Sequence, residues 1–129
     1  MSNLNQTINK LKVYLGEDQE EKILREKFNE LNPIFRKIDE QFPKPSKKNH
    51  LVIAHNDNKY VYIENTKLEL IIDKERNVIV VYKHENIQST KLDEIVLQDN
   101  ELYCTGRGEK FTEDILSAYL NEVFEEFIG

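Results

Sequence analysis

Apolar residues recur at helical spacing at the two ends of the chain and at strand spacing between them. Leu4, Ile8, Leu11 and Leu15 step by 4, 3 and 4. Leu24, Phe28, Leu31, Phe35, Ile38 and Phe42 step by 4, 3, 4, 3 and 4. Either series falls on one face of a helix. From Leu51 to Thr105 the pattern turns into short β-branched and aromatic runs parted by Asn, Asp and Lys, which reads as strands. Helical spacing returns after Thr112, with Leu116, Leu120, Val123 and Phe127 as the expected buried stripe.

The punctuation refines these elements. Gly16 is a natural stop for a first short helix, because glycine tolerates the left-handed conformation past a helix end. Asp18, with Glu21 three residues on, resembles a capping box, so a second helix is expected from about 18 to 42. Pro33 lies inside it and removes a hydrogen bond. The apolar stripe keeps its phase across this proline, which favours one long kinked helix. The alternative is a new helix with Asn32 as N-cap and Pro33 at its first position. Pro43 and Pro45 end the helical segment, and residues 43–49 form a basic linker.

Strands are expected at Leu51–His55, Tyr60–Glu64, Leu68–Asp73, Val78–His84, Asp93–Gln98 and Glu101–Thr105, with residues 85–91 ambiguous. Asn56-Asp57-Asn58 and Asp99-Asn100 carry turn chemistry. Connections this short force antiparallel pairing. Gly106-Arg107-Gly108 ends the sheet, and Thr112 caps the last helix. The expected fold is therefore α+β in a single domain over residues 1–129. It has a helical segment (1–42), an antiparallel meander of five or six strands (50–106) and a C-terminal helix (112–128).

Two strands break the alternation expected of a sheet covered on one side. Val78 to Tyr82 is apolar throughout, as is Leu70 to Ile72. Strands apolar front and back are usually buried front and back. Either the helices divide between the two faces, or one face meets another chain.

Composition narrows the class. The chain has 129 residues, enough for one domain with a real core. Charged residues make up 33%, no apolar run approaches the ~20 residues of a membrane span, and residues 1–12 lack a signal-peptide core. One cysteine, Cys104, permits no internal disulfide. A cytoplasmic protein without a membrane segment is expected. The net charge of -6 is segregated: +2 over residues 1–49, -3 over 50–110 and -5 over 111–129. An acidic chain repels nucleic-acid phosphate overall. Only Arg36, Lys37, Lys44, Lys47 and Lys48 could reverse that locally.

Candidate chemistry is sparse. His50, His55, His84 and Cys104 show no metal-ligand spacing, and no metal or cofactor is expected. Cys104 sits in a strand pattern, which suits a small buried hydrophobe better than an activated thiolate. No serine has a nucleophile-elbow context, and no catalytic residue is assigned. Gly106-Arg107-Gly108 is too short to identify a phosphate loop. Tyr60, Tyr62 and Tyr82 with Lys59 and Lys83 outline a stacking platform for single strands, against which the acidic charge argues. Glu122, Glu125 and Glu126 belong to a final helix with no basic residue. Glu125 and Glu126 fall near its C-terminal end, where the helix dipole disfavours them. That acidic face could meet Lys44, Lys47 and Lys48, in the same chain or in a partner.

Two functional expectations follow. The first is a small acidic cytoplasmic interaction module, non-enzymatic, binding a protein partner or itself as a homodimer. The alternative is a small-molecule-binding or enzymatic domain with a pocket between sheet and helices, its polar groups drawn from His55, Tyr62, His84 and Arg107.

Overall fold

A computed structural model describes residues 3–16 and 19–129, and the fold is α+β. Helix α1 (Leu4–Tyr14) ends where Gly16 takes φ +100°. Asp18, and with it the capping box, lies outside the described residues. Helices α2 (Gln19–Asn29) and α3 (Asn32–Gln41) replace the single kinked helix. The chain breaks at Glu30 and Leu31, and Pro33 opens α3 rather than bending a longer helix. With no N–H at Pro33, the ladder cannot continue; the Leu31 N–H bonds instead to the Phe28 carbonyl in a tighter turn. The apolar phase survives the break, so Leu24, Phe28, Leu31 and Phe35 are all buried together.

Among the described residues the sheet has seven strands: β1 (His50–Ala54), β2 (Asn58–Ile63), β3 (Thr66–Asp73), β4 (Val78–Glu85), β5 (Gln88–Gln98), β6 (Glu101–Cys104) and β7 (Glu109–Lys110). They pair antiparallel in chain order. Residues 85–91 resolve into a hairpin: Asn86 takes φ +54° and Glu85 pairs with Gln88. At the β5–β6 turn Asp99 and Asn100 both have positive φ, as a two-residue type I′ hairpin requires. The added strand is β7. Gly106-Arg107-Gly108 does not end the sheet but turns β6 into β7. One extra residue at Leu92 bulges β5 between the pairs Val81–Asp93 and Tyr82–Lys91. After β7 come α4 (Glu113–Val123), with the Thr112 hydroxyl accepting from the Ile115 N–H, and α5 (Glu125–Ile128). The expected single C-terminal helix is thus broken at Phe124.

Cross-strand register sorts the side chains into two faces. Val61, Leu68, Leu70, Ile72, Ile79, Val81, Ile95, Leu102 and Cys104 share one face, and all join the core with Leu24, Phe28, Phe35, Leu116 and Tyr119. The helices do not divide between the two sides; α2, α3 and α4 all pack on this one. Lys59 is inward as well and fully buried. Its ammonium donates to the His55 carbonyl at 2.7 Å and Asn29 Oδ1 at 3.1 Å, and lies 4.1 Å from the Phe28 ring centroid. Burial lowers its pKa to about 8. These contacts tie α2 to the β1–β2 hairpin.

Candidate functional site

The helices leave an apolar groove of about 440 Å³ on their side of the sheet. Helix α3 lies over β1 and β2, and α4 over β3. The strip of β2 between them, Val61 and Ile63, is the groove floor. One wall is Ile34, Ile38 and Phe42 of α3 and its end. The other is Leu116, Leu120 and Phe124 of α4 and its end, with Ile128 of α5 beyond. Lys37, Gln41, Glu113 and Ser117 are its polar lining. The volume falls within the ~300–1,000 Å³ of ligand sites, and the lining is mainly aliphatic.

The α4 wall is pinned from beneath by a buried polar cluster. The Asp93 carboxylate, its side chain wholly buried, accepts from the Tyr119 hydroxyl at 2.6 Å, the Gly106 N–H at 2.7 Å and the Glu94 N–H at 2.8 Å. Arg107 Nε stands 3.8 Å from it, and the same guanidinium pairs with Glu122 on the surface of α4. Burial, then the hydrogen bond to Asp93, drives the Tyr119 hydroxyl pKa far up. Cys104, 3.5 Å from that hydroxyl, is raised chiefly by burial. Both therefore stay protonated, and the thiol is a packed side chain rather than a nucleophile.

None of α2, α3 and α4 packs on the opposite face of the sheet. Ile53, Tyr60, Tyr62, Ile71, Val78, Val80, Tyr82, Val96 and Tyr103 lie on it by register. Val78 and Val80 are nonetheless buried, so the face shields its central strand with its own side chains. Arg76 leaves the β3–β4 turn and makes two 2.8 Å bonds to Glu94, the cross-strand neighbour of Val80. Glu69 accepts from Asn58 Nδ2 at 2.9 Å and bonds to His84 Nε2 at 2.8 Å, while His84 Nδ1 bonds to Ser89 at 2.6 Å. Burial pushes the Glu69 pKa up, but the bonds to Asn58 and His84 and the charge of Lys67 outweigh it, and the net direction is down. The apolar groups are interleaved with satisfied polar ones.

The residues named from the sequence do not gather in one pocket. Tyr62 and His84 lie on that opposite face, two strands apart. His55 is exposed beyond β1, and Arg107 sits in the β6–β7 turn against α4. None of the four lines the groove. The tyrosine platform loses its lysines: Lys59 is buried in the core, and Lys83, registered with Leu68, faces the helix side. Lys44 pairs with Asp39, Lys48 with Glu64, and Glu122 with Arg107. Lys47 and Lys48 border a polar depression of about 660 Å³ with Phe127. Phe127 is exposed rather than part of the buried stripe; Ile115, Tyr119 and Phe124 are the buried residues the spacing omitted. The break at Phe124 also places Glu125 and Glu126 in the first turn of α5, not at the end of a long helix.

The sequence stripes already held Ile38, Phe42, Leu116 and Leu120 of the groove walls; the wall residues they omitted are Ile34, beside the inward Leu31 and Phe35, and Phe124 and Ile128. An apolar arc wider than one core contact needs is the available signal.

No described helix is long and apolar enough to cross a membrane. Residues 4–128 match the model of a family described as protein of unknown function (DUF3942), and the chain belongs to that family. No curated protein and no solved structure matches it.

Proposed function

We propose that this protein is a non-enzymatic, cytoplasmic interaction module that holds an amphipathic helix of a protein partner in the groove between α3 and α4–α5. The observation that supports this reading is the groove itself, a long apolar trough between two helices with charge only along its lining. Such troughs take helices through apolar anchors spaced i, i+3, i+4 and i+7. Lys37 on α3 and Glu113 on α4 offset each other in the lining, and Glu125 and Glu126 follow on α5, so the excess charge beside the groove is acidic. That sign favours a helix whose polar face is basic. Each aliphatic anchor contributes about 1.5–3 kcal/mol on burial. Set against an association cost of at least ~4 kcal/mol, three or four anchors leave at most about 8 kcal/mol, so the affinity is on the order of micromolar at its tightest.

The test is a methyl-resolved NMR titration with two designed helical peptides that share the same leucine stripe, one with a basic and one with an acidic polar face. The expected outcome is perturbation confined to the methyls of Ile38, Leu116, Leu120 and Ile128, with the basic peptide binding more tightly. No perturbation by either peptide would overturn the reading. A second reading, an apolar small molecule with one polar end, draws on the volume and on Lys37, the one cation in the groove lining among the described residues. It predicts that a fatty acid perturbs the same methyls and neither peptide does.

A further inference from the structure

We propose that the helix this groove takes is α1 of a second copy of the chain, the two copies exchanging arms reciprocally. This rests on the reading of the groove as a helix site. No residue of α1 is buried, yet its stripe is apolar: Ile8, Leu11 and Leu15 are 39%, 54% and 81% exposed. They stand at i, i+3 and i+7, the anchor spacing of a helix laid in a trough.

Lengths and charges match. The 11 residues of α1 span about 16 Å, and the eight-residue advance from Ile34 to Phe42 gives the groove wall about 12 Å. Residues 3–16 carry Lys10 and Lys12 and no acid, whereas residues 111–129 carry five acids and no base. Glu125 and Glu126 make no ion pair among the described residues, so they are available to lysines arriving from another chain. Each chain offers one arm and one groove, so a two-fold exchange fills both and closes without leaving a free end.

The experiment uses the full chain. Light scattering over a wide concentration range should show a monomer–dimer equilibrium, and Leu11→Glu should weaken it by at least ~150-fold, the loss expected for two buried leucines, one in each exchanged arm. Leu11 is exposed, so this variant leaves the body folded. Two differently tagged proteins, one Leu11→Cys and the other Leu120→Cys, should form a covalent heterodimer on oxidation. A strict monomer, a dimer indifferent to Leu11→Glu, or a mixture of the two cysteine variants that yields no covalent heterodimer would each overturn the exchange. Titrating monomeric Leu11→Glu protein with the basic designed peptide separates the two ideas. If the groove methyls respond while the arm exchange fails, the groove remains a helix site for another partner; if they do not, both readings fall.

Discussion

Removing the Tyr119 hydroxyl isolates one interaction with little else disturbed. Tyr119→Phe keeps the buried ring, so apolar burial is conserved, and deletes the shortest of the bonds to Asp93. That carboxylate is fully buried and holds three donors at 2.6, 2.7 and 2.8 Å. Without the hydroxyl it keeps two backbone donors and the more distant Arg107, 3.8 Å away. A hydrogen bond to a charged group contributes about 1.5–3 kcal/mol, and a buried acceptor left short forfeits most of it. The expected loss is about 2 kcal/mol, which lowers Tm by roughly 5–10 °C in a domain of this size. Urea unfolding with linear extrapolation is the assay, and the m-value should not change, because the surface exposed on unfolding is the same. Glu122→Gln is the control: it breaks the Arg107 pair on the exposed side of α4 and should cost under about 1 kcal/mol. Were Tyr119→Phe to unfold within ~0.5 kcal/mol of the parent, the inference that this cluster fixes α4 to the sheet would be wrong.

Two further substitutions test neighbouring inferences. Gly106→Ala would put a Cβ 2.6 Å from Asp93 Oδ1 and 3.2 Å from its Cγ, forcing the carboxylate off the Gly106 N–H; a loss of about 2 kcal/mol or more is expected in the same urea assay, and a neutral effect would refute the close approach. Glu94 is held down to about 2 by hydrogen bonds from Arg76 and then Lys91. Its folded pKa lies below the unfolded value near 4.5, so the stability it adds is fully present above that pH and drains away as pH falls toward 2. Glu94→Gln should therefore flatten the stability profile between those limits, and a profile that parallels the parent's would count against the pairing.

The sequence made the elements legible because their signals were local. The 4,3 stripe of Leu24 to Phe42 and the turn residues Asp99-Asn100 act within a few positions, and both elements form. Thr112 caps its helix for the same reason. What failed was long-range. Pro33 could kink or break a helix, and the break prevails where α2 packs on β5 and β6 but α3 packs on β1 and β2. Strand β7 is two residues long and exists through its pairing with Tyr103 and Cys104, which no local pattern announces. The doubly apolar strands called for a cover on each face. The chain supplies one cover with helices; on the other side Val78 and Val80 are shielded by a face of tyrosines, ion pairs and a histidine–glutamate bond. Tyr62 and His84 are part of that face, and neither borders the groove, because the register places them on its opposite side.

The surface left apolar after folding is therefore not where strand alternation alone would put it. It lies in the trough between α3 and α4 and along α1, and these two are complementary in kind. An isolated helix shorter than ~12–15 residues is marginal in water. At 11 residues with none buried, α1 draws little stability from its own body. Its lysines do not offset this, since no acidic residue lies within residues 3–16 to pair with them locally. A groove that lays three aliphatic anchors out of water supplies what the helix lacks, and the helix supplies what the groove lacks, a cover for Leu120 and Ile128. Helicity of α1 and occupancy of the groove should then be one equilibrium: dilution that empties the groove should also lower the helical signal of residues 4–14, and Leu11→Glu should lower both at every concentration.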